Sequence, residues 1–169
     1  MHGDLEWHSN SVAETLVWGY TLGRALQRGD VVLLLGSFGA GKTHLVKGIA
    51  SAWGVDPADV TSPSYVLINE YTADRAHQRL PLYHADLYRV EGTAELASVG
   101  LETALEGDGI TLVEWAEHGG GLLPPEHLAI HVTLVSDTQR LLRLVPHGRR
   151  YDALVAHLRS YPSHDAASD

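Results

Sequence analysis

An eight-residue stretch from Gly36 to Thr43, GSFGAGKT, places three glycines beside one of the two lysines of this chain. It fits the pattern G-x-x-x-x-G-K-[ST], and it lies between the apolar run VVLLL and a helical pattern, which is the context that this motif requires. Glycines let backbone N–H groups turn inward around an anion, and the following helix directs its positive end at the same point. The stretch therefore predicts a loop that cradles the phosphates of a nucleotide.

Two side chains of this loop and two acids further along the chain could complete a metal–nucleotide site. Lys42 would reach the outer phosphates, and the Thr43 hydroxyl would bind a magnesium ion, which prefers hard oxygen ligands. The ion needs a second anchor at the carboxyl end of a neighbouring strand, where Glu114 ends ITLVE and Asp86 follows LYHA. One acid could hold the ion while the other orients the attacking water, and spacing alone leaves the two assignments open.

The sequence favours adenine as the base and leaves three functions to compare. A guanine-specific protein would carry an Asn-Lys-x-Asp tetrad, and neither Asn10 nor Asn69 is followed by lysine. The three functions are an ATP hydrolase, a small-molecule kinase and a nucleotide-dependent binding module. A kinase needs an acceptor pocket and an arginine-rich lid, whereas Arg149 and Arg150 lie near the end of the chain. The kinase is therefore the runner-up.

Hydrophobic spacing in the first part of the chain predicts a helix, a strand and a second helix around the glycine loop. The first helix begins near a Ser or Asn cap and closes at Gly29, with apolar positions Val12, Leu16, Val17, Leu22 and Leu26. The run from Val31 to Leu35 is unbroken and apolar, which indicates a strand covered on both faces and a sheet that is parallel at its centre. The second helix starts at Lys42, directs Leu45, Ile49 and Trp53 to one side, and stops at Gly54.

The remainder of the chain reads as strands with two further helices. Antiparallel strands are expected at Tyr65 to Tyr71 and Leu80 to His84, joined by TADRAHQR. A helix over TAELASVGLETAL breaks at Gly100, ITLVEW is a buried strand, LAIHVTLV and RLLRLVPH form a hairpin, and YDALVAHLRSY is a closing helix. With 169 residues, the chain is expected to form one domain over residues 1–160, followed by a disordered tail at 161–169.

Composition restricts the partners of the protein. A formal net charge of -9, with two lysines and ten arginines, argues against an extended surface that tracks nucleic-acid phosphates, so any contact with RNA should be indirect. The absence of cysteine excludes disulfides, thiolate zinc sites and a cysteine nucleophile. The N-terminus lacks the basic and apolar segments of a signal peptide, and the apolar runs are too short to span a membrane, so a cytoplasmic location is expected.

Several motifs together resemble one family. GSFGAGKT, TSPSYVLINEY, YHADLYRV, ELASVGL and LVEWAEHGGGLLPPEHLAI occur in the order and spacing of the TsaE (YjeE) family, over about residues 5–145. Members are bacterial ATPases required for the threonylcarbamoyl modification of adenosine 37 in tRNAs that read ANN codons. The resemblance implies a P-loop NTPase-like α/β fold in three layers, with a mixed, largely parallel central sheet and antiparallel hairpins. It also implies ATP and Mg²⁺ as cofactors, TsaD and TsaB as partners, and slow hydrolysis by the isolated chain.

The resemblance also implies roles for individual residues. Lys42, Asp86 and Glu114 are the expected catalytic residues, with Asp86 beside the γ-phosphate and Thr43 and Glu114 holding magnesium. The Thr61–Ser62 pair forms a switch-like loop, Trp115 matches a family tryptophan with a packing or contact role, and His84 is expected to be structural. Arg140 lies near a family arginine that meets the nucleotide, and the segment from Ser9 to Thr15 would approach adenine. The phosphates are cradled by Ser37, Phe38, Gly39, Ala40, Gly41, Lys42 and Thr43.

Overall fold

The computed structural model describes residues 3–37, 39–63, 68–89 and 100–161. These residues form seven strands: β1 Leu5–Ser9, β2 Val31–Leu35, β3 Ile68–Arg75, β4 Gln78–Asp86, β5 Ile110–Glu114, β6 His127–Leu134 and β7 Arg140–His147. They also form four α-helices: α1 Val12–Ala25, α2 Lys42–Ala52, α3 Leu101–Glu106 and α4 Arg149–Leu158. Parts of the predicted strand from Tyr65 and of the predicted helix before Gly100, and the predicted tail from residue 162, lie outside the described residues. α3 begins directly after Gly100, whose φ of 79° is left-handed.

The strands form one mixed sheet in the order β1-β7-β6-β2-β5-β4-β3. The four central strands, β6, β2, β5 and β4, are parallel to one another, and the pairs β1–β7, β6–β7 and β3–β4 are antiparallel. The predicted parallel centre and both predicted hairpins are therefore confirmed. Because parallel strands share one direction, the carboxyl ends of β2, β4 and β5 meet at one edge of the sheet.

Helices cover the two faces of the sheet, because alternate residues of the apolar central strands point to opposite sides. Val32 and Leu34 of β2 belong to the larger core, which α1, α2 and α4 cover. Val31 and Leu33 belong to the smaller core, with Leu101 of α3. This arrangement confirms the expected three-layer α/β fold. Among the described residues, no helix combines the length and the apolar character that crossing a membrane requires.

The strand β1 is an element that the sequence analysis did not predict. It pairs with β7 at one edge of the sheet, with Trp7 opposite Leu142. The Trp7 ring stacks on Trp18 of α1 at a centroid distance of 4.2 Å, and Trp18 Nε1 donates a hydrogen bond to the His8 carbonyl. Five residues with one strongly buried tryptophan give little local signal, so β1 depends on partners that are distant in sequence.

The helix α1 differs from its prediction in its end and in its buried face. It ends at Ala25, with Leu26 as the C-cap, and Gly29 lies in the turn that follows. Val12 and Val17, which were expected to face the core, are 50% and 42% exposed. The buried face comprises the predicted Leu22 together with Thr15, Trp18, Gly19 and Gly23. Apolar spacing was misleading because glycines, rather than aliphatic side chains, make part of the contact with α2.

The hairpin between β3 and β4 is tighter than predicted. The residues of TADRAHQR continue the two strands up to Arg75 and Gln78, and only Ala76 and His77 form the turn. Both turn residues have positive φ, 50° and 66°, which is the conformation of the two-residue turn that suits the twist of a hairpin. Neither residue is the usual glycine or asparagine, so the sequence carried no turn signal at this point.

An ion pair with a buried carboxylate links the helix α4 to the start of β2. Arg150 donates to both carboxylate oxygens of Asp30, at 3.0 and 2.7 Å, and the Asp30 side chain is 3% exposed. The next residue, Tyr151, accepts a hydrogen bond from the Val31 amide at 2.9 Å. These contacts fix the amino end of the strand whose carboxyl end carries the glycine loop.

Glycines bring α1 and α2 into backbone contact. A Cβ added at Gly19 would lie 2.5 Å from the Leu45 carbonyl oxygen and 2.9 Å from the Gly48 Cα. Gly23 and Gly48 leave as little room in the same interface. Since neither backbone can give way without moving its helix, α2 is held at a fixed distance from α1.

We predict that Gly19→Ala destabilises the protein by about 2 kcal/mol, because overpacking against backbone outweighs the gain of up to about 1 kcal/mol in helix propensity. Urea unfolding measures the change. Gly121→Ala is the control, since nothing lies within 4 Å of a Cβ at that position, and its effect should stay below about 0.5 kcal/mol. A Gly19→Ala variant as stable as the parent would contradict the close helix contact.

Candidate functional site

The glycine loop connects the carboxyl end of β2 to the start of α2, as the motif predicts. A Cβ at Gly36 would lie 2.5 Å from the Val132 carbonyl oxygen, so the loop leaves β2 too close to β6 for a larger residue. Gly39 and Gly41 have φ values of 78° and 105°, which side chains disfavour. The structure therefore explains each glycine of the motif: Gly36 by the close approach to β6, and Gly39 and Gly41 by their left-handed backbone.

The helix α2, which follows the loop, begins without a side-chain cap. Gly41 is the N-cap residue of α2, and it offers no side chain to the first amides of the helix. The first N–H groups of a helix lack intrahelical partners and carry partial positive charge, which makes such an end suited to an anion. Lys42 and Thr43 occupy the first turn and face the cleft in front of it.

A cleft of about 300 Å³ opens at this edge of the sheet. It is large enough for the phosphates of a nucleotide, and it brings together residues from the loop, from the ends of β4 and β5, and from the start of β7. Its lining residues are Gly39, Ala40, Gly41, Lys42, Thr43, His44, Ser62, Asp86, Glu114, Trp115 and Arg140.

The two predicted acids are neighbours in this cleft. Asp86 and Glu114 are the last residues of the parallel strands β4 and β5, and they are paired in register. Their side chains therefore point to the same face of the sheet, and the two residues are only 5% and 3% exposed. Desolvation of a carboxylate is costly unless donors surround it, so the partners of each acid are informative.

Glu114 contacts the helix α2 on one side and the strand β4 on the other. Thr43 Oγ1 donates to Glu114 Oε1 at 3.1 Å and lies 3.4 Å from Oε2. His84 Nε2 lies 2.5 Å from Oε2. Since a carboxylate can only accept hydrogen bonds, both neighbours act as donors. His84 was expected to be structural, and no pattern in the sequence indicates this contact.

Asp86 is held by the segment between α2 and β3 and by the backbone after β4. Ser62 Oγ donates to Asp86 Oδ2 at 3.0 Å, and the Tyr88 amide donates to Oδ1 at 3.0 Å. Of the predicted switch-like pair, Ser62 thus reaches the cleft. Thr61 does not line it: its amide contacts the Tyr71 hydroxyl at 3.4 Å, and its carbonyl accepts from Asn69 at 3.2 Å.

The Lys42 ammonium contacts the glycine loop and the ring of Trp115. It donates to the Gly36 carbonyl at 2.6 Å, and it lies 3.7 Å from the centroid of the Trp115 ring. Burial lowers the pKa of Lys42, while the nearby carboxylates of Glu114, Glu117 and Asp86 act in the opposite direction. Trp115 has a left-handed backbone, with φ at 55°. Such strain in a bulky residue is typical of functional sites.

Of the other predicted nucleotide-binding residues, Arg140 lines the cleft and Ser37 does not. Arg140 lines it, but its Nε donates to the Ala40 carbonyl at 2.8 Å and its Nη1 contacts the Ser136 carbonyl at 3.1 Å. Ser37 accepts from the Ala40 amide through its carbonyl and does not line the cleft. Phe38 lies outside the described residues. The start of α1, predicted to approach adenine, borders a small cavity that Gly41, His44 and Arg140 also line.

The donor set suits magnesium. Thr43 and Glu114 offer a hydroxyl and a carboxylate oxygen about one hydrogen bond apart, and Asp86 lies beside them. No cluster of three or more His, Cys, Asp or Glu side chains in the described parts of the chain could hold a metal on its own. Magnesium commonly binds through one or two protein ligands, substrate phosphates and waters, so these residues fit an ion that arrives with a nucleotide.

The fold and this site define the chain as a P-loop α/β protein, the class that cradles nucleotide phosphates at the start of a helix. The model of one family matches residues 9–142, and that family is described as Threonylcarbamoyl adenosine biosynthesis protein TsaE. The chain belongs to the TsaE family, which confirms the resemblance seen in its motifs.

Individual relatives match most of the chain. The tRNA threonylcarbamoyladenosine biosynthesis protein TsaE of Bacillus subtilis is 36% identical over 154 residues, which cover 91% of this chain and 93% of that protein. The protein of the same name from Treponema pallidum is 36% identical over 132 residues, covering 78% and 93%. Among solved structures, the crystal structure of Bacillus subtilis YdiB superposes with a TM-score of 0.76 at 33% identity, covering 94% of this chain and 96% of that one.

We predict that binding of Mg-ATP changes the fluorescence of Trp115. Phosphates would draw the Lys42 ammonium away from the Trp115 ring, and the other three tryptophans, Trp7, Trp18 and Trp53, are at most 3% exposed. A titration of the parent should therefore show a fluorescence change that the Trp115→Phe variant lacks. Trp7→Phe is the control and should keep the change. A signal that survives in Trp115→Phe would place the responding tryptophan elsewhere.

Proposed function

We propose that this chain is a magnesium-dependent ATPase that acts in tRNA threonylcarbamoyladenosine biosynthesis. Membership of the TsaE family supports the process. The observation that carries the ATPase activity is the convergence of Lys42, Thr43, Asp86 and Glu114 at the phosphate-binding end of α2. A glycine loop that only binds an anion needs no pair of buried acids, whereas hydrolysis needs a metal anchor and a group to orient water.

In this proposal, the loop and α2 hold the triphosphate before the reaction begins. Backbone N–H groups of Gly39 to Thr43 surround the phosphates, and Lys42 exchanges the Gly36 carbonyl for the outer phosphate oxygens. Thr43 and Glu114 would hold the magnesium ion, which neutralises the charge that develops on the terminal phosphates. These contacts are formed by rigid elements, so little reorganisation accompanies the reaction.

We propose that Asp86, and not Glu114, orients the attacking water. Glu114 is held by Thr43, the other expected ligand of the ion, and by His84, whereas the hydrogen bonds described for Asp86 come from Ser62 and the Tyr88 amide. Asp86 would accept a hydrogen bond from the water and direct its oxygen at the γ-phosphorus, in line with the bond to the β-phosphate oxygen. That bond breaks as the water oxygen bonds to phosphorus, and the proton of the water passes to the carboxylate or to the phosphate product.

Slow turnover by the isolated chain is part of the proposal. Among the described residues that line the cleft, Lys42 and Arg140 are the two with a lysine or arginine side chain. The Arg140 guanidinium contacts backbone carbonyls of the loop and of the β6–β7 turn. An arginine that reaches the transferred phosphoryl group speeds hydrolysis by about 10³- to 10⁵-fold, and in this proposal a partner supplies that group while Arg140 stays on the loop.

The partners in this proposal are TsaB and TsaD, in an assembly where tRNA contacts the partners rather than this chain. The net charge of -9 supports that arrangement, because affinity for nucleic acid rests mainly on neutralised phosphates. The cytoplasm, where tRNA is modified, would be the location. Appreciable binding of tRNA by the isolated chain at physiological salt would contradict this part of the proposal.

We predict that this chain joins TsaB and TsaD in an ATP-dependent complex and that Lys42→Ala abolishes both ATP binding and complex formation. The substitution removes the ammonium that reaches the outer phosphates. Size-exclusion chromatography with and without Mg-ATP detects the complex, and calorimetry measures ATP binding. Lys47→Ala, five residues further along α2, is the control and should behave as the parent. A complex that forms equally well with Lys42→Ala would refute the role of nucleotide.

We predict that Asp86→Ala lowers ATP hydrolysis at least about 100-fold while ATP affinity changes only a few-fold, because positioning of water contributes to the reaction and little to binding. ATP labelled at the γ-phosphate distinguishes the activities. Release of labelled inorganic phosphate supports an ATPase, and transfer of the label to an added small molecule supports the kinase. Unchanged turnover in both Asp86→Ala and Glu114→Ala would favour a nucleotide-dependent binding module.

A further inference from the structure

His84 is a fully buried histidine directly beneath the two acids of the site. It lies on β4 two residues before Asp86, so both side chains point to the same face of the sheet. Its exposure is 0%, and its register partner on β5 is Leu112, which is equally buried. His84 Nε2 lies 2.5 Å from Glu114 Oε2. Its other ring nitrogen, Nδ1, has no hydrogen-bond partner among the described residues.

Packing alone does not account for a histidine at this position. A buried polar atom without a partner costs about 1–3 kcal/mol, and a phenylalanine or leucine would fill similar space without that cost. The neighbours on the same face, Leu82 and Leu112, belong to the hydrophobic core. Among the described residues, the one favourable polar contact of the ring is the hydrogen bond to Glu114, so the reason for the histidine lies in what that bond does to the carboxylate.

The bond fixes the orientation of the Glu114 carboxylate. His84 Nε2 donates a hydrogen bond to Oε2 from the buried side of the carboxylate, while Thr43 donates to Oε1 from the side of the cleft. With Oε2 engaged, the carboxylate cannot turn about its last bond without losing a charge-assisted hydrogen bond. Oε1 therefore stays next to the Thr43 hydroxyl, the second expected ligand of the ion. Groups that orient a metal-binding side chain in this way commonly change metal affinity by about 10- to 100-fold when they are removed.

We propose that His84 is a positioning residue that orients Glu114 for the magnesium ion of the bound nucleotide. This inference rests on the proposed function, because it assumes that Glu114 and Thr43 hold that ion. His84 acts through Glu114 and touches neither the nucleotide nor the water. Its contribution is a hydrogen bond donated from Nε2, so a side chain that donates from the same place should replace it.

Three substitutions separate this role from a merely structural one. His84→Phe keeps a ring of similar size and removes the donor. His84→Gln places an amide N–H near the position of Nε2, whereas His84→Asn has a shorter amide that corresponds to Nδ1. His84→Phe tests whether the hydrogen-bond donor is needed. His84→Gln and His84→Asn compare two amides of which only the longer one places its N–H near Glu114. His127→Phe is the control, because His127 begins β6 at the opposite end of the sheet and contacts the Pro124 carbonyl.

The measurement is binding of a fluorescent ATP analogue at increasing Mg²⁺ concentration and, separately, in excess chelator. We expect His84→Phe and His84→Asn to need about tenfold more Mg²⁺ than the parent for half-maximal enhancement of binding. Affinity in chelator should stay within about twofold for every variant, because the loop and Lys42 are unchanged. His84→Gln and His127→Phe should need Mg²⁺ concentrations within about threefold of the parent.

A double-substitution cycle tests whether the effect passes through Glu114. In a Glu114→Ala background, His84→Phe should cause no further change in the Mg²⁺ requirement, because the carboxylate that it orients is gone. An equal effect of His84→Phe in both backgrounds would overturn the proposal. If His84→Phe does not fold, the Gln–Asn pair decides: equal Mg²⁺ requirements for those two variants would overturn it as well.

The outcome for the parent separates this inference from the proposed function. If the parent binds the analogue with a clear Mg²⁺ enhancement and His84→Phe keeps the same requirement, the role of His84 is refuted while the proposed function stands. If the parent does not bind the analogue with or without Mg²⁺, both are refuted.

Discussion

The structure of the site depends on one buried carboxylate, that of Glu114 at the end of β5. Withdrawing such a charge from water costs several kcal/mol unless donors converge on it. Thr43 and His84 provide those donors, one from the first turn of α2 and the other from β4. The carboxylate thus joins three elements that are far apart in sequence. The position of the glycine loop follows, because the loop must lead from β2 to a helix whose first turn contacts Glu114.

The rest of the fold holds that helix against the sheet. α2 lies at backbone distance from α1 through Gly19, Gly23 and Gly48, and α1 is tied to β1 by the stacked rings of Trp7 and Trp18. The start of β2 is fixed by α4 through Asp30 and Arg150. A small change in any of these contacts would move the loop relative to the acids. Phosphate-binding geometry tolerates little displacement, since a misplacement of about 1 Å can reduce a rate by about 100-fold.

How far the sequence predicted the molecule depends on whether each feature is encoded locally. The loop, the central strands and the two acids at strand ends were predictable, since GSFGAGKT, VVLLL and ITLVE each carry a complete local signal. β1, the buried face of α1 and the tight turn at Ala76 were not, because each depends on a distant partner or on an unusual turn residue. The contact between His84 and Glu114 belongs to the same group. It requires the parallel register of β4 and β5, which places residue 84 beside residue 112 and which no local pattern specifies. The contact of Lys42 with Trp115 likewise requires the chain to turn left-handed directly after β5.

The hydrogen bonds that arginines make within the fold bear on how the chain could contact a polyanion. Several of the ten arginines are occupied by the chain itself: Arg150 with the Asp30 carboxylate, and Arg28, Arg75, Arg140 and Arg159 with backbone carbonyls. A guanidinium that already donates in this way must break those bonds to reach a phosphate, and the cost subtracts from any affinity gained. The chain has 21 acidic residues against 12 lysines and arginines. Under the proposed function, a partner would therefore supply the surface that recognises tRNA, whereas a compact triphosphate would need only the amides of the loop, one lysine and a metal ion.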